Sequence, residues 1–356
     1  MTKLYRALCL FAAGAIALAA AGCATTPLQP PSEDLREAKA GSVLRSLSID
    51  RAVEDRILTL DPERIGDDDV RNTLAKGPTP RIFEVHGGVY PVHLLMQSFS
   101  EFLIGMGYPE NRIRDSGDGA YSRSPYDDSG RQAGEIAWYY EHEGVRPMLV
   151  GHSQGGIQVV KILHELAGTF DPERRVLNPL TGQFEERTTI VDPLSGRERP
   201  VVGISVAYAS VVGTGGWALV LPMHWKVLNV VRAIPDTVDD FTGYRIGLDF
   251  FAWDAPGLEG VKTFHAAGKA NVRNVTLPAE YSHVFVPATA QLAESPAMRA
   301  WINAFDPDNE TGRAPLPDGA AGNVMWAADV WHSIKKHWCI EAQRLIRARR
   351  AALGTS

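Results

Sequence analysis

The sequence predicts an α/β fold: a mostly parallel sheet flanked by helices, with an insertion capping one end. Three observations carry this reading. Short apolar runs alternate with helix-length amphipathic runs along the chain, the pattern of βαβ units joined by right-handed crossovers. The run Pro147-Met148-Leu149-Val150 meets Gly151-His152-Ser153-Gln154-Gly155-Gly156, a strand entering a helix through a tight, glycine-flanked turn. Of three cysteines only Cys339 lies in the body of the chain, so an apolar core rather than a disulfide must hold it together.

The elements follow in order. Residues 35–75 are charged and helix-prone, with Leu44, Leu47, Val53, Ile57 and Leu58 loosely at helical spacing. The main domain spans residues 80–356. Arg81–Val85 reads as a strand ending in His86-Gly87-Gly88-Val89, and Val92–Met106 as a helix. Ile113 is placed in a following strand. Arg131–Glu143 reads as a helix, Met148–Val150 as a strand and Gly155–Ala167 as a helix. Residues 168–200 interrupt the alternation. Asn178-Pro179-Leu180-Thr181-Gly182 is echoed by Asp192-Pro193-Leu194-Ser195-Gly196, both turn sequences, which predicts an inserted pair of turns or a hairpin. Val201–Ala207 resumes as a buried strand. Residues 213–260 are rich in Trp and Phe without strand periodicity and are read as a helical cap. Val272–Leu277 is the next strand and Pro287–Phe305 a helix near a break at Pro296. Asn323–Ala328 is read as the last strand, and Ile334–Ala352 as a terminal helix whose basic end suits the helix dipole.

The N-terminus has a short basic region, Lys3 and Arg6, then a small-residue apolar stretch from Ala7 to Ala20 that is too short to span a bilayer. It ends in Ala20-Ala21-Gly22-Cys23, which resembles a bacterial lipoprotein signal. That resemblance implies removal of residues 1–22, acylation of Cys23 and anchoring in the cell envelope; Ala24 points to the outer membrane. Residues 23–34 would be a Thr-, Pro- and Ser-containing tether. Removal of 1–22 takes away Lys3 and Arg6 and no acid, moving the formal charge from −6 to −8. An acidic chain with no basic run is not expected to bind nucleic acid.

Gly151-His152-Ser153-Gln154-Gly155 fits a G-x-S-x-G nucleophile elbow, with the strand before it and the helix after it that the motif requires. With the upstream His86-Gly87-Gly88, the chain from about residue 80 resembles an α/β-hydrolase of the lipase and esterase type. The resemblance implies Ser153 as nucleophile and an acid and a histidine later in the chain. It also implies an oxyanion hole from the Gln154 N–H and a second N–H at Gly88 or Val89. The substrate would be a small-molecule or lipid ester. Thioesterases, amidases and acyltransferases share the acyl-enzyme and are not separated from it. A non-catalytic envelope lipoprotein is the alternative outside enzymes.

A serine hydroxyl needs a base within hydrogen-bond reach and a group that orients the base. His332 is preferred as base because it follows the expected last strand. His283 is the alternative, valid if Val272–Leu277 is the last strand. For the acid, the resemblance would place a carboxylate where His283 stands. Asp254, which precedes His283 by 29 residues, and Glu280 remain as candidates. No zinc spacing, H-E-x-x-H or nucleotide loop is present, so neither metal nor cofactor is expected.

Overall fold

A computed structural model of the chain describes residues 43–89, 92–253, 262–309 and 323–354. Residues 1–42, with the expected leader 1–22 and the expected tether from Cys23, and the candidate acid Asp254 lie outside the described residues. The centre is a five-stranded parallel sheet: β1 (Ile82–Val85), β2 (Met148–His152), β3 (Val206–Val212), β4 (Val238–Ile246) and β5 (Asn271–Leu277). Their order in space is their order in the chain. Side chains alternate between the two faces, as a pleated strand requires. Phe83, Leu149, Ala209 and Phe241 stand opposite one another across four strands and face one layer. Ile82, Met148 and Tyr208 form the corresponding row on the other face.

Helices cover both faces. They are α1 (Arg51–Thr59), α2 (Asp67–Asn72), α3 (Val92–Gly105), α4 (Ser129–Glu143), α5 (Gln154–Leu166), α6 (Pro296–Ala304) and α7 (Val324–Leu353). The Phe83 face packs against α4 and α5 through Ile136, Ala137, Ile157, Val160 and Leu163. The Ile82 face packs against α3, α6 and α7, with Ile57 of α1 and Val70 of α2 closing the same layer. Asp128 caps α4 by accepting from the Gly130 N–H at 2.9 Å, and Gly144 ends that helix at φ 74°. The two turn sequences of the insertion each close a short antiparallel hairpin, Leu177–Asn178 with Gln183–Phe184 and Thr189–Val191 with Glu198–Pro200.

Several expectations are corrected. Asn323–Ala328 is not a strand: α7 starts at Val324, and Trp326, Ala327 and Ala328 are buried on its core face. Helical spacing, not alternation, governs that segment. Ile113 follows a 3₁₀ turn at Glu110–Arg112. The third strand begins at Val206, later than expected. Of the expected helical cap at 213–260, residues 254–260 lie outside the described residues, and 213–253 do not form one. This stretch holds two 3₁₀ turns, Gly216–Val220 and Pro222–Val227, and then the central strand β4. The acids at the start of β4 disguise it. Arg146 holds Asp239 and His337 holds Asp240, so the polar residues are paired where the strand begins.

The 30-residue α7 brings three buried tryptophans to the core. Trp338 donates to the Pro78 carbonyl at 3.1 Å and lies edge-on to Tyr108. Trp338→Ala should destabilise the protein by about 3–5 kcal/mol, read by urea unfolding. A change near zero would show that α7 does not carry this face.

Candidate active site

The site is built on the loops that follow the C-terminal ends of the strands. Ser153 sits between β2 and α5 at φ 56°, ψ −120°, a strained conformation for a residue with a side chain. Its N–H donates to the Val212 carbonyl at 2.8 Å, fixing the turn to β3. Two glycines make the turn possible. A Cβ on Gly151 would lie 2.7 Å from the Gly155 carbonyl oxygen, and one on Gly155 would overlap the carbonyl oxygens of Val85 and His86.

Three side chains form a hydrogen-bonded row. His283 Nδ1 lies 2.6 Å from Asp249 Oδ2, and His283 Nε2 lies 2.9 Å from Ser153 Oγ. With Nδ1–H donated to the carboxylate, Nε2 is left to accept from the serine hydroxyl. Asp249 is buried, and its other oxygen accepts the Ala252 N–H at 3.0 Å. The residues arrive from three loops: Ser153 after β2, Asp249 after β4, His283 after β5. Gly213 at the end of β3, at φ +62°, lets the imidazole cross; a Cβ there would lie 2.8 Å from the ring.

The loop after β1 completes the site. A Cβ on Gly87 would stand 3.3 Å from Ser153 Cβ, and one on Gly88 would overlap the Gln154 side-chain amide. The Tyr126 hydroxyl donates to the Gly88 carbonyl at 2.6 Å. Gln154 is the first residue of α5, so its N–H has no intrahelical acceptor and stands at the positive end of the helix dipole. Val89 is exposed on this loop. Among the described residues no group of three or more His, Cys, Asp or Glu side chains is placed to hold a metal ion.

The structure thus brings Ser153, Gln154, Gly88 and His283 together, and leaves His332 elsewhere. His332 lies on α7, its ring nitrogens 3.2 Å from the Phe305 carbonyl oxygen and 3.8 Å from Glu63 Oε2. With no strand at 323–328, nothing aims that position at Ser153. Glu280, the rival acid candidate, is exposed in the turn after β5, and Asp249 occupies the position behind the imidazole. Sequence reasoning missed Asp249. The available signal was its position three residues beyond β4, which the polar start of that strand concealed.

His152, beside Ser153, is buried, and desolvation pushes its pKa down to about 3. In the unfolded chain a histidine titrates near 6.5, so below that pH the unfolded state binds the proton that the folded state refuses. Stability from this residue is present above about pH 6.5 and is lost as pH falls toward 3. The urea midpoint of His152→Gln should therefore fall less steeply than wild type between pH 6 and pH 4. Parallel pH dependence would contradict this account.

No family model matches this sequence, and comparison with curated proteins finds no similar one.

Proposed function

We propose that the protein is a serine hydrolase of carboxylic esters, an α/β-hydrolase of the lipase and esterase type. The observation that carries this reading is the hydrogen-bonded row Ser153–His283–Asp249. Ser153 Oγ attacks the ester carbonyl carbon while its proton passes to His283 Nε2. Asp249 holds the imidazole in the tautomer that can take that proton and stabilises the imidazolium that forms. The Gln154 N–H donates to the developing oxyanion, with a second N–H donated from the Gly88–Val89 loop. His283 then returns the proton to the leaving alkoxide. Water, activated by the same imidazole, releases the acid from Ser153.

The surroundings favour an apolar acyl or alcohol group. Trp217, Phe250, Phe251, Trp253 and Phe285 are exposed large apolar side chains on the loops around the row. The Phe251 ring lies 5.3 Å from that of His283, and Trp217 meets Trp253 at 5.1 Å. An exposed cluster of this kind is what an apolar ligand would cover. Export and acylation at Cys23 are part of the same proposal and rest on the Lys3–Cys23 segment alone.

A fluorophosphonate probe should label the wild-type protein, and Ser153→Ala should abolish labelling; labelling that survives would overturn the assignment. Asp249→Asn should lower turnover of a p-nitrophenyl ester by about 10⁴-fold, because the imidazole loses its tautomer. His332→Ala should leave turnover unchanged. A large loss in His332→Ala with none in Asp249→Asn would reverse the choice of base and acid.

A further inference from the structure

His283 reaches Ser153 from a distance. It follows β5 at the sheet edge, whereas Ser153 follows β2, three strand positions away. At about 4.8 Å per strand the 278–283 loop must cross roughly 14 Å over the strand ends. Apart from the His283 ring, which bonds Asp249 and Ser153, and one backbone contact, its ties are local or run to the start of α7. Tyr281 N–H donates to the Pro278 carbonyl, Val286 N–H to the Ser282 carbonyl, and the Tyr281 hydroxyl accepts the Met325 N–H. One contact is different. His152 Nε2 lies 2.7 Å from the carbonyl oxygen of His283 itself. A carbonyl only accepts, so Nε2 carries the proton and Nδ1 is the bare nitrogen. Nδ1 is buried with no partner among the described residues, beside the position a Gly87 Cβ would occupy.

We propose that His152 is a positioning residue. Its Nε2–H pins the backbone of the catalytic histidine to the end of the nucleophile strand, so that the nucleophile and its base are placed by adjacent residues of β2 and its turn. The inference rests on the proposed hydrolase chemistry, and its geometry favours a neutral clamp. Protonating Nδ1 would bury a donor with no acceptor. The two rings are 5.3 Å apart, so a cationic His152 would also oppose the imidazolium formed on His283 during turnover. The depressed pKa of His152 agrees with this. The bond touches neither substrate nor the reacting atoms. It acts through the angle and reach of the His283 ring.

Two substitutions separate this from a packing role. His152→Phe keeps a ring and removes the donor. His152→Gln keeps an N–H donor the same number of bonds from Cβ. Turnover per site, counted by burst titration, should fall about tenfold to a hundredfold in H152F with KM nearly unchanged, the scale of a misplaced catalytic group. H152Q should recover most of it. A purely structural residue would lower the melting temperature and the number of titratable sites while leaving turnover per site at the wild-type value. That outcome would overturn the proposal. An independent readout is the low-field proton resonance of His283 Nδ1–H, hydrogen-bonded to Asp249. It should be lost or broadened in H152F and retained in H152Q; an unchanged signal in H152F would likewise overturn the proposal. This signal needs no turnover. If the wild-type protein failed to react with a fluorophosphonate, the hydrolase reading would fail while the resonance still decided the role of His152.

Discussion

The site depends on how closely α5 can approach the ends of β1 and β2. At Gly155 the helix backbone lies against the carbonyls of Val85 and His86 with no room for a methyl group, and at Gly156 a Cβ would overlap the Thr214 hydroxyl. That contact forces the chain to reverse within one residue, which is why Ser153 takes a backbone conformation unfavourable to a side chain. The strain, on the order of 1–3 kcal/mol, is offset by the buried face of α5, whose Ile157, Val160 and Leu163 lock into the layer over the sheet. The same approach sets Gly87 and Gly88 beside Ser153 and Gln154. The Ser153 turn, the start of α5 and the Gly87-Gly88 loop are therefore one packing solution rather than three separate features.

His283 and Asp249 are placed by a different logic. A parallel sheet in chain order puts every strand end on one edge, so loops from distant parts of the sequence converge there. Asp249 and His283 follow neighbouring strands, β4 and β5, and their short hydrogen bond is a contact between adjacent loops. The bond from His283 to Ser153 spans the sheet and needs the missing side chain of Gly213.

This division explains what could be read from the sequence. The β2–turn–α5 unit and the His86-Gly87-Gly88 loop are local, and glycine spacing reports local sterics directly. α4, α5 and the inserted hairpins were legible for the same reason: helical periodicity and turn chemistry act over a few residues. β4 was not, because Asp239 and Asp240 look incompatible with a central strand until Arg146 and His337 are seen to pair with them. Losing β4 shifted the count of strands by one. That moved the expected base to His332 and removed Asp249 from consideration. Asn323–Ala328 compounded the error, since a short apolar run reads as strand or helix until its burial pattern is known. His283 belongs to the alternative in which Val272–Leu277 ends the sheet, and β5 does end it.

The long terminal helix has a consequence for the order of assembly. Asn323, just before α7, donates to the Phe285 and Ala288 carbonyls, and the Met325 N–H meets the Tyr281 hydroxyl. Further along, Gln343 donates to the carbonyls of Ile57 and Leu60 at the C-terminal end of α1. The loop that carries the imidazole thus gains its outer supports from residues made after the whole sheet, and α7 must close on α1 and Leu60 to be held. Contacts of such long sequence separation form late and slowly. A nascent chain that has completed β2 and α5 already has its serine turn, yet the His283 imidazole stays unseated until α7 docks.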